Sequence, residues 1–293
     1  MTKITTVKMP PKTALVFSGG GSRGAYGAGI LDSLESCKLQ FDVTVGSSTG
    51  ALLALLAAAG RPDLARKEYT TVNTRDILTR HPLYLVPFRP GAASMKPLHK
   101  RLLRLAPDLL TGMGQTGRKA ILCVWNYRSG KSRFVTCDQK STPEHLANYA
   151  LASCAVPGLI DPVKIDGEVY GDGGVRESAP IKPAMEEKCS RVIVVVHSKG
   201  YEAEGPGPRR LWDSAARAIA GMQSEILAGD LAECQMKNQE ALSQMYSPYL
   251  YVDLKIAKIR DYHGLTAMKF EPGPMREMYM DGCADGEYLC RNL

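Results

Sequence analysis

The pentapeptide Gly46-Ser47-Ser48-Thr49-Gly50 constrains this chain more than any other stretch. A short strand-like run, Phe41 to Val45, leads into it, and an alanine- and leucine-rich helical run, Thr49 to Ala59, leads out. A turn this abrupt needs small residues on both sides, so that strand and helix approach without a clash. A serine at its apex, Ser48, adopts strained backbone angles and presents its hydroxyl at the helix start, where the helix dipole favours developing negative charge. An ordinary glycine-bounded turn is written in the same residues. The pentapeptide by itself leaves both readings open.

Around this turn, strand-like and helix-like patterns alternate, as in a sheet covered by helices. Thr13 to Ser18 reads as a buried strand, followed by a glycine-rich turn and a helical pattern over Gly24–Ser36. Gly60 and Pro62 close the second helix. Lys119–Trp125 and Arg133–Thr136 read as strands separated by a turn through Ser129-Gly130, and Thr142-Pro143-Glu144 opens a helix. Arg191–His197 is the most continuous β-branched run, Leu211 to about Gln244 is helical, and Tyr249–Ile256 is a late strand. His81–Ala93, with three prolines and a glycine, reads as a loop: either a flap over a site or a loop pinned to the core. The expectation is one α/β domain over residues 1–293. Its chemistry-bearing motifs lie within 13–196, and a helical region with a late strand, 211–293, completes or caps it.

At 293 residues and 44% hydrophobic content the chain has ample material for a core. Its longest apolar run, Ala51–Ala59, is under half the roughly 20 residues of a spanning helix. Met1–Lys12 shows no apolar signal-peptide core, so a cytoplasmic protein is expected, although an effector exported without such a signal fits the same sequence. The net charge of +7 favours anionic partners. With only 7% aromatic residues and no dense Lys/Arg run, nucleic acid is not expected among them. Eight scattered cysteines, without a Cys-x-x-Cys pair, read as buried free thiols, with no disulfide framework and no zinc site.

Two further motifs carry chemistry. Ser18-Gly19-Gly20-Gly21-Ser22-Arg23-Gly24 follows the first strand, and successive amides in such a loop form an anion-binding nest. Gly19, Gly21 and Gly24 satisfy G-x-G-x-x-G, but a dinucleotide site needs an acidic residue roughly 20 positions on, at the far end of the second strand. Asp42 lies at the near end instead. An oxyanion hole, which needs amides and not a charge, is the better account. The other motif is Gly171-Asp172-Gly173-Gly174, a carboxylate free of bulky neighbours that can sit against another backbone segment, or simply a tight turn.

Together these three motifs resemble the patatin-like phospholipase family, and Ala152-Ser153-Cys154-Ala155-Val156-Pro157 resembles its A-S-x-A-x-P segment. The resemblance runs from about Thr13 to Val196. It implies a three-layer fold with a mostly parallel central sheet flanked by helices, and a lipid acyl hydrolase of phospholipase A type. Carried over, Ser48 is the nucleophile and Asp172 the base of a Ser-Asp dyad. The amides of Gly20 and Gly21 form the oxyanion hole, and Gly19, Arg23, Gly46, Gly50 and Gly173 support the site. Thr49, where the family often has an apolar residue, and Ser178, where asparagine is common, depart from the pattern. Such an enzyme cleaves phospholipid or related lipid esters through an acyl-enzyme at a membrane surface, with neither metal nor cofactor. The sequence leaves open whether it needs a protein activator or homo-oligomerisation.

Two alternatives remain at this level. Five histidines are present (His81, His99, His145, His197 and His263), and His263 gives the chain order Ser, Asp, His of α/β-hydrolases. A lipid-binding module without turnover would use Leu98, Leu102 and Leu105 on one helical face, with Lys100, Arg101 and Arg104 around it. The same pattern describes an amphipathic helix packed on the sheet.

Overall fold

In the computed structural model, which describes residues 12–199, 211–243 and 251–293, the first strand, β1 (Thr13–Phe17), is buried along its whole length. Its side chains alternate between two cores, Leu15 and Phe17 in one, Ala14 and Val16 in the other. A strand that is apolar on both faces has to be covered on both faces, which sets a layered α/β arrangement.

From β1 the glycine-rich turn leads into α1 (Gly24–Ser36), and β2 (Val43–Ser47) leads into α2 (Thr49–Ala58). Helices α3 (Pro62–Thr71) and α4 (Thr74–Ile77) follow, then a hairpin of β3 (Thr79–Arg80) and β4 (Gly91–Ser94). Next come α5 (Lys96–Thr116), β5 (Lys119–Asn126), β6 (Ser132–Cys137) and α6 (Pro143–Ser153), the last capped by the Thr142 hydroxyl, which accepts the His145 amide at 3.1 Å. Three short strands, β7 (Gly158–Ile160), β8 (Val163–Ile165) and β9 (Glu168–Asp172), precede α7 (Lys182–Glu186) and β10 (Arg191–Val196). The last described elements are α8 (Leu211–Ser243), β11 (Asp253–Lys258) and α9 (Pro272–Arg291). Of the late strand expected over Tyr249–Ile256, Tyr249 and Leu250 lie outside the described residues, and the strand itself begins at Asp253. Pro62 does not merely follow a helix; it occupies the first turn of the next one, where its missing N–H costs nothing.

The described strands of the central sheet number eight. The run β11-β10-β1-β2-β5 is parallel, while β6 and β9 pair antiparallel with β5, and β8 pairs antiparallel with β9. The register around β5 positions the site. Cys123 pairs with Ser47 of β2 and with Phe134 of β6, whereas Val124 pairs with Asp172 of β9 and with Arg133 of β6. Since β6 occupies one edge of β5 at both positions, β2 and β9 share the other. β2 runs up that edge as far as Cys123, and β9 comes down it from the opposite direction and stops at Val124. The C-terminal ends of β2 and β9 therefore meet head to head, offset by one residue step of ~3.3 Å along β5.

Helices α1, α2, α3, α5, α6 and α9 bury one face of this sheet, and α7 and α8 supply Ala184, Leu227 and Cys234 to the core on the other. A second, three-stranded sheet in the order β3-β4-β7 stands apart. This corrects the reading of His81–Ala93 as a loop. β4 lies at its end and is hydrogen-bonded on both sides, because β7, far along the chain, supplies a partner that local sequence does not reveal.

The reading of all eight cysteines as free thiols is also corrected. Cys37, just past α1, is joined to Cys290 near the end of α9, and the other six are free. The two helices pack along each other, so residues 253 positions apart become neighbours. Close packing is what brings them there. A methyl group added at Gly282 of α9 would stand 2.0 Å from the Tyr26 carbonyl oxygen of α1. Gly282→Ala is therefore expected to cost about 1–3 kcal/mol in urea unfolding, through overpacking of the helix pair. An unchanged unfolding midpoint would contradict this packing.

Candidate active site

β2 runs through Gly46 and Ser47, further than the sequence places it, and Ser48 stands at the turn into α2 with φ 57° and ψ −129°. Such a conformation costs a non-glycine residue on the order of 1–3 kcal/mol and persists only where its surroundings impose it. Two things impose it here. The Ser48 amide donates to the Ser153 hydroxyl at 2.9 Å, and that hydroxyl donates to the Cys123 carbonyl at 2.7 Å. Gly46 and Gly50 let backbones touch, since a Cβ at Gly46 would lie 2.1 Å from the Gly50 carbonyl oxygen and one at Gly50 would lie 2.2 Å from that of Phe17. Thr49, beside the serine in the wall of the same cavity, has its hydroxyl 2.6 Å from that of the buried Tyr69. Ser48 itself is 7% exposed, so what reaches it must enter a cavity.

Asp172 ends β9 opposite this turn and is fully buried. Its amide donates to the Ala155 carbonyl at 2.8 Å, and its Oδ1 accepts from the Gly174 amide at 2.7 Å. Oδ2 is enclosed and makes no hydrogen bond of ordinary geometry. Burial pushes the carboxyl up to about 6, against the opposing pull of the Ser48 side chain and the Gly174 amide. Gly173 packs on β5, where a Cβ would meet the Cys123 carbonyl oxygen at 2.4 Å.

The glycine loop closes the third side. Gly19 donates to the Ser178 carbonyl at 3.0 Å and Ser22 to that of Ala267 at 2.8 Å, whereas the amides of Gly20 and Gly21 between them make no such bond to any of the described residues. A Cβ on Gly19 would lie 3.4 Å from that of Ser48, so the loop runs directly beside the serine. Ser178, at one of the positions that departs from the family pattern, thus anchors the loop through its backbone. Arg23 stacks 3.7 Å from the centre of the Tyr262 ring and holds the loop's end, with its Nε buried and unpartnered.

These groups open on a cavity of about 630 Å³. One part of its wall is polar, with Arg23, Ser198, Lys199, Gln223 and Tyr262. Another part is mainly apolar, with Leu52, Leu55 and Leu56 of α2, Leu98, Leu102 and Leu105 of α5, and Met268 and Phe270, and the paired Glu68 and Arg101 also line the cavity. Leu98 and Leu102 are buried, so that face of α5 belongs to the cavity and the core and does not lie on a membrane. Among the described residues no group of three or more His, Cys, Asp or Glu side chains is arranged to hold a metal ion.

No histidine completes a triad. His263 pairs with Asp281 at 2.8 Å, His81 with Asp161 at 2.7 Å, and His99 with Asn148 at 2.8 Å, while His145 packs on Tyr149. His197 lies under the glycine loop, where its Nδ1 faces the Ser18 carbonyl at 2.7 Å, and burial pulls it down to about 4. A carbonyl only accepts, so Nδ1 carries the proton and the ring is neutral. The dinucleotide reading fails on Asp42, whose carboxylate is taken by the Thr13 amide at 2.8 Å. Sequence reasoning missed two supporting groups. Ser153 was within reach, because it lies in the Ala152–Pro157 segment, but its hydroxyl's role depends on a contact 105 residues away. His197 carries no sequence signal beyond ending a β-run.

Residues 15–185, more than half of the chain, match the family described as patatin-like phospholipase, and the chain belongs to that family. Uncharacterized protein YjjU of Escherichia coli is 26% identical over 196 residues, 64% of this chain and 52% of that protein. A cGAMP-activated phospholipase of Pseudomonas aeruginosa is 26% identical over 193 residues, 59% of this chain and 55% of that protein. Triacylglycerol lipase ptl2 of Schizosaccharomyces pombe is 28% identical over 208 residues, 58% of this chain and 30% of that one. The chain spans about half the length of the first two of these relatives. Among solved structures, VipD from Legionella pneumophila superposes with a TM-score of 0.55 at 15% identity, over 97% of this chain and 67% of that one, and so shares the three-layer α/β fold.

The raised Asp172 carboxyl has a consequence for stability. With a folded value of about 6 against an ordinary 3.8, it binds more protons folded than unfolded between those values. Its contribution is most favourable below pH ~4 and is lost as pH rises through ~6, to a total of up to about 3 kcal/mol. Asp172→Asn is therefore expected to gain on the wild type in urea unfolding as pH rises from 4 to 8. A difference that stays constant over that range would contradict the buried charge.

Proposed function

We propose that this chain is a lipid acyl hydrolase of phospholipase A type, which cleaves carboxylic esters of membrane phospholipids with Ser48 as nucleophile and Asp172 as base. The observation that carries the reading is the head-to-head meeting of β2 and β9, which sets a strained serine against a buried carboxylate with one unbonded oxygen. In the proposed cycle Ser48 Oγ attacks the ester carbonyl while Asp172 Oδ2 takes the hydroxyl proton. The carbonyl oxygen turns negative against the uncommitted amides of Gly20 and Gly21. Collapse of the tetrahedral adduct breaks the bond to the alcohol, which leaves with the proton held by Asp172. Water then attacks the acyl carbonyl while Asp172 takes one of its protons, the acyl–Ser48 bond breaks, the proton held by Asp172 passes to Ser48 Oγ, and fatty acid is released. The apolar wall between α2 and α5 suits an acyl chain, and the polar wall suits the remainder of a phospholipid. Relatives named as a phospholipase and as a triacylglycerol lipase support lipid esters as the substrate class.

An exposed aspartate is too weak a base for this task, and the burial that lifts Asp172 to about 6 improves it while leaving it ionised at neutral pH. Fatty-acid release from defined phospholipids, measured with a chelator present, is expected to fall about a thousandfold or more in Ser48→Ala and in Asp172→Asn. Full activity in either variant would overturn the dyad. In the wild type, kcat/KM is expected to rise with pH through a midpoint near 6, because only the ionised carboxylate accepts the serine proton. A profile flat from pH 4 to 8 would contradict Asp172 as the base.

A further inference from the structure

The segment from Ile77 to Pro107 is set apart by its charge. It holds Arg80, Arg89, Lys96, Lys100, Arg101 and Arg104 and no aspartate or glutamate, in a chain whose net charge is +7. Nearly the whole positive surplus of the protein belongs to this one stretch. Arg101 is turned inward and pairs with Glu68, while the other five are exposed.

The same segment carries the three most exposed large hydrophobic side chains of the described residues, Leu83 at 80%, Tyr84 at 75% and Phe88 at 84%. They sit on a single 3-10 turn, Leu83–Phe88, between β3 and β4, with Arg80 and Arg89 at its two ends. The turn is braced. Pro82, Pro87 and Pro90 restrict its backbone, and at its base the His81 amide donates to the Ala92 carbonyl at 2.9 Å while the His81 ring holds Asp161 at 2.7 Å. Apolar side chains held out in water on a stiff support need a partner that covers them.

The turn adjoins the cavity. β4 pairs with β7, and the residues flanking these strands, Met95 and Leu98 after β4 and Val156 beside β7, line the cavity wall. Directly after β4, helix α5 buries one face in that wall, while Lys96, Lys100 and Arg104, four residues apart, form an exposed basic stripe along it.

We propose that the Leu83–Phe88 turn and the Lys96, Lys100, Arg104 stripe form one docking surface for an anionic phospholipid bilayer. Leu83, Tyr84 and Phe88 enter the boundary between headgroups and acyl chains, and the basic side chains lie on the lipid phosphates. A bilayer is the occupant the charge pattern selects, since a segment whose charged side chains are all basic, with an apolar tip, matches a uniform anionic sheet, whereas protein interfaces interleave both signs and polar groups. Docking here sets the cavity wall next to the lipid. The purpose of this surface rests on the proposed hydrolase reading, but its presence can be tested without turnover.

The test uses the full chain with Ser48→Ala, floated with phosphatidylcholine vesicles with and without phosphatidylglycerol. This parent is expected to float with the anionic vesicles, less so as salt rises. Combining it with Leu83→Ser, Tyr84→Ser and Phe88→Ser, or with Lys96→Glu, Lys100→Glu and Arg104→Glu, is expected to lower partitioning at least about tenfold. With Ser48 restored, both triple variants are expected to hydrolyse a soluble short-chain ester within about twofold of wild type, since exposed side chains act on docking alone. The proposal is overturned if the parent does not float with anionic vesicles, including the case in which it binds a protein instead. It is also overturned if either triple variant floats like the parent, or if soluble-ester hydrolysis is lost along with docking. A wild type that floats but cleaves no ester would sink the hydrolase reading and leave the docking surface standing.

Discussion

The Ser153 hydroxyl receives the amide of Ser48 and gives its own proton to the Cys123 carbonyl, and two residues further on the Ala155 carbonyl receives the amide of Asp172. One short segment at the end of α6 thereby fixes the backbone on both sides of the junction between β2 and β9. The junction needs such a brace. Two strands that end head to head along one edge of β5 have no ladder bonds to each other, and the serine between them sits in a conformation that its neighbours must impose. Removing a buried partner of this kind leaves an amide unsatisfied, at a cost of about 1–3 kcal/mol. The same loss would free the geometry on which the proposed proton transfer depends.

Electrostatics at the site follows from what surrounds each group. Burial raises the basicity of Asp172 and outweighs the opposing pull of the Ser48 side chain and of the Gly174 amide on Oδ1. Beneath the glycine loop, His197 is kept neutral by burial, with its one proton committed to the Ser18 carbonyl. It fills space where a Cβ on Gly20 would come within 2.5 Å of its own Cβ, and supports the loop without adding a charge beneath it. The uncommitted amides of Gly20 and Gly21 are then the groups left to meet a developing oxyanion. α8 contributes from the far side, where Asp230 accepts the Ala179 amide at 3.0 Å and secures the segment that follows Asp172.

Much of this was legible in the sequence wherever the determinants are local. β1 and β10 announce themselves as continuous apolar runs because both faces are buried, and the turn at Ser48 shows itself through Gly46 and Gly50, which the close backbone passages require. Asp172 stood out through its glycines. What was not legible depends on contacts between distant residues. The head-to-head arrangement of β2 and β9 exists only because β5 offers both of them one edge, and no pattern within Glu168–Asp172 records that. The pairing of β4 with β7 and the joining of Cys37 to Cys290 are hidden for the same reason. Leu98 and Leu102 had the right periodicity for two fates, membrane or core. Packing against α2 and α6 decided between them.

The central claim is that a buried carboxylate, without a histidine, makes Ser48 nucleophilic. The most direct measurement is the rate and position of covalent labelling by a fluorophosphonate ester, located by peptide mass spectrometry. The account predicts an adduct on Ser48 in the wild type, forming at least about a hundredfold more slowly in Asp172→Asn. An adduct on a different serine, or labelling of Asp172→Asn at the wild-type rate, would contradict it.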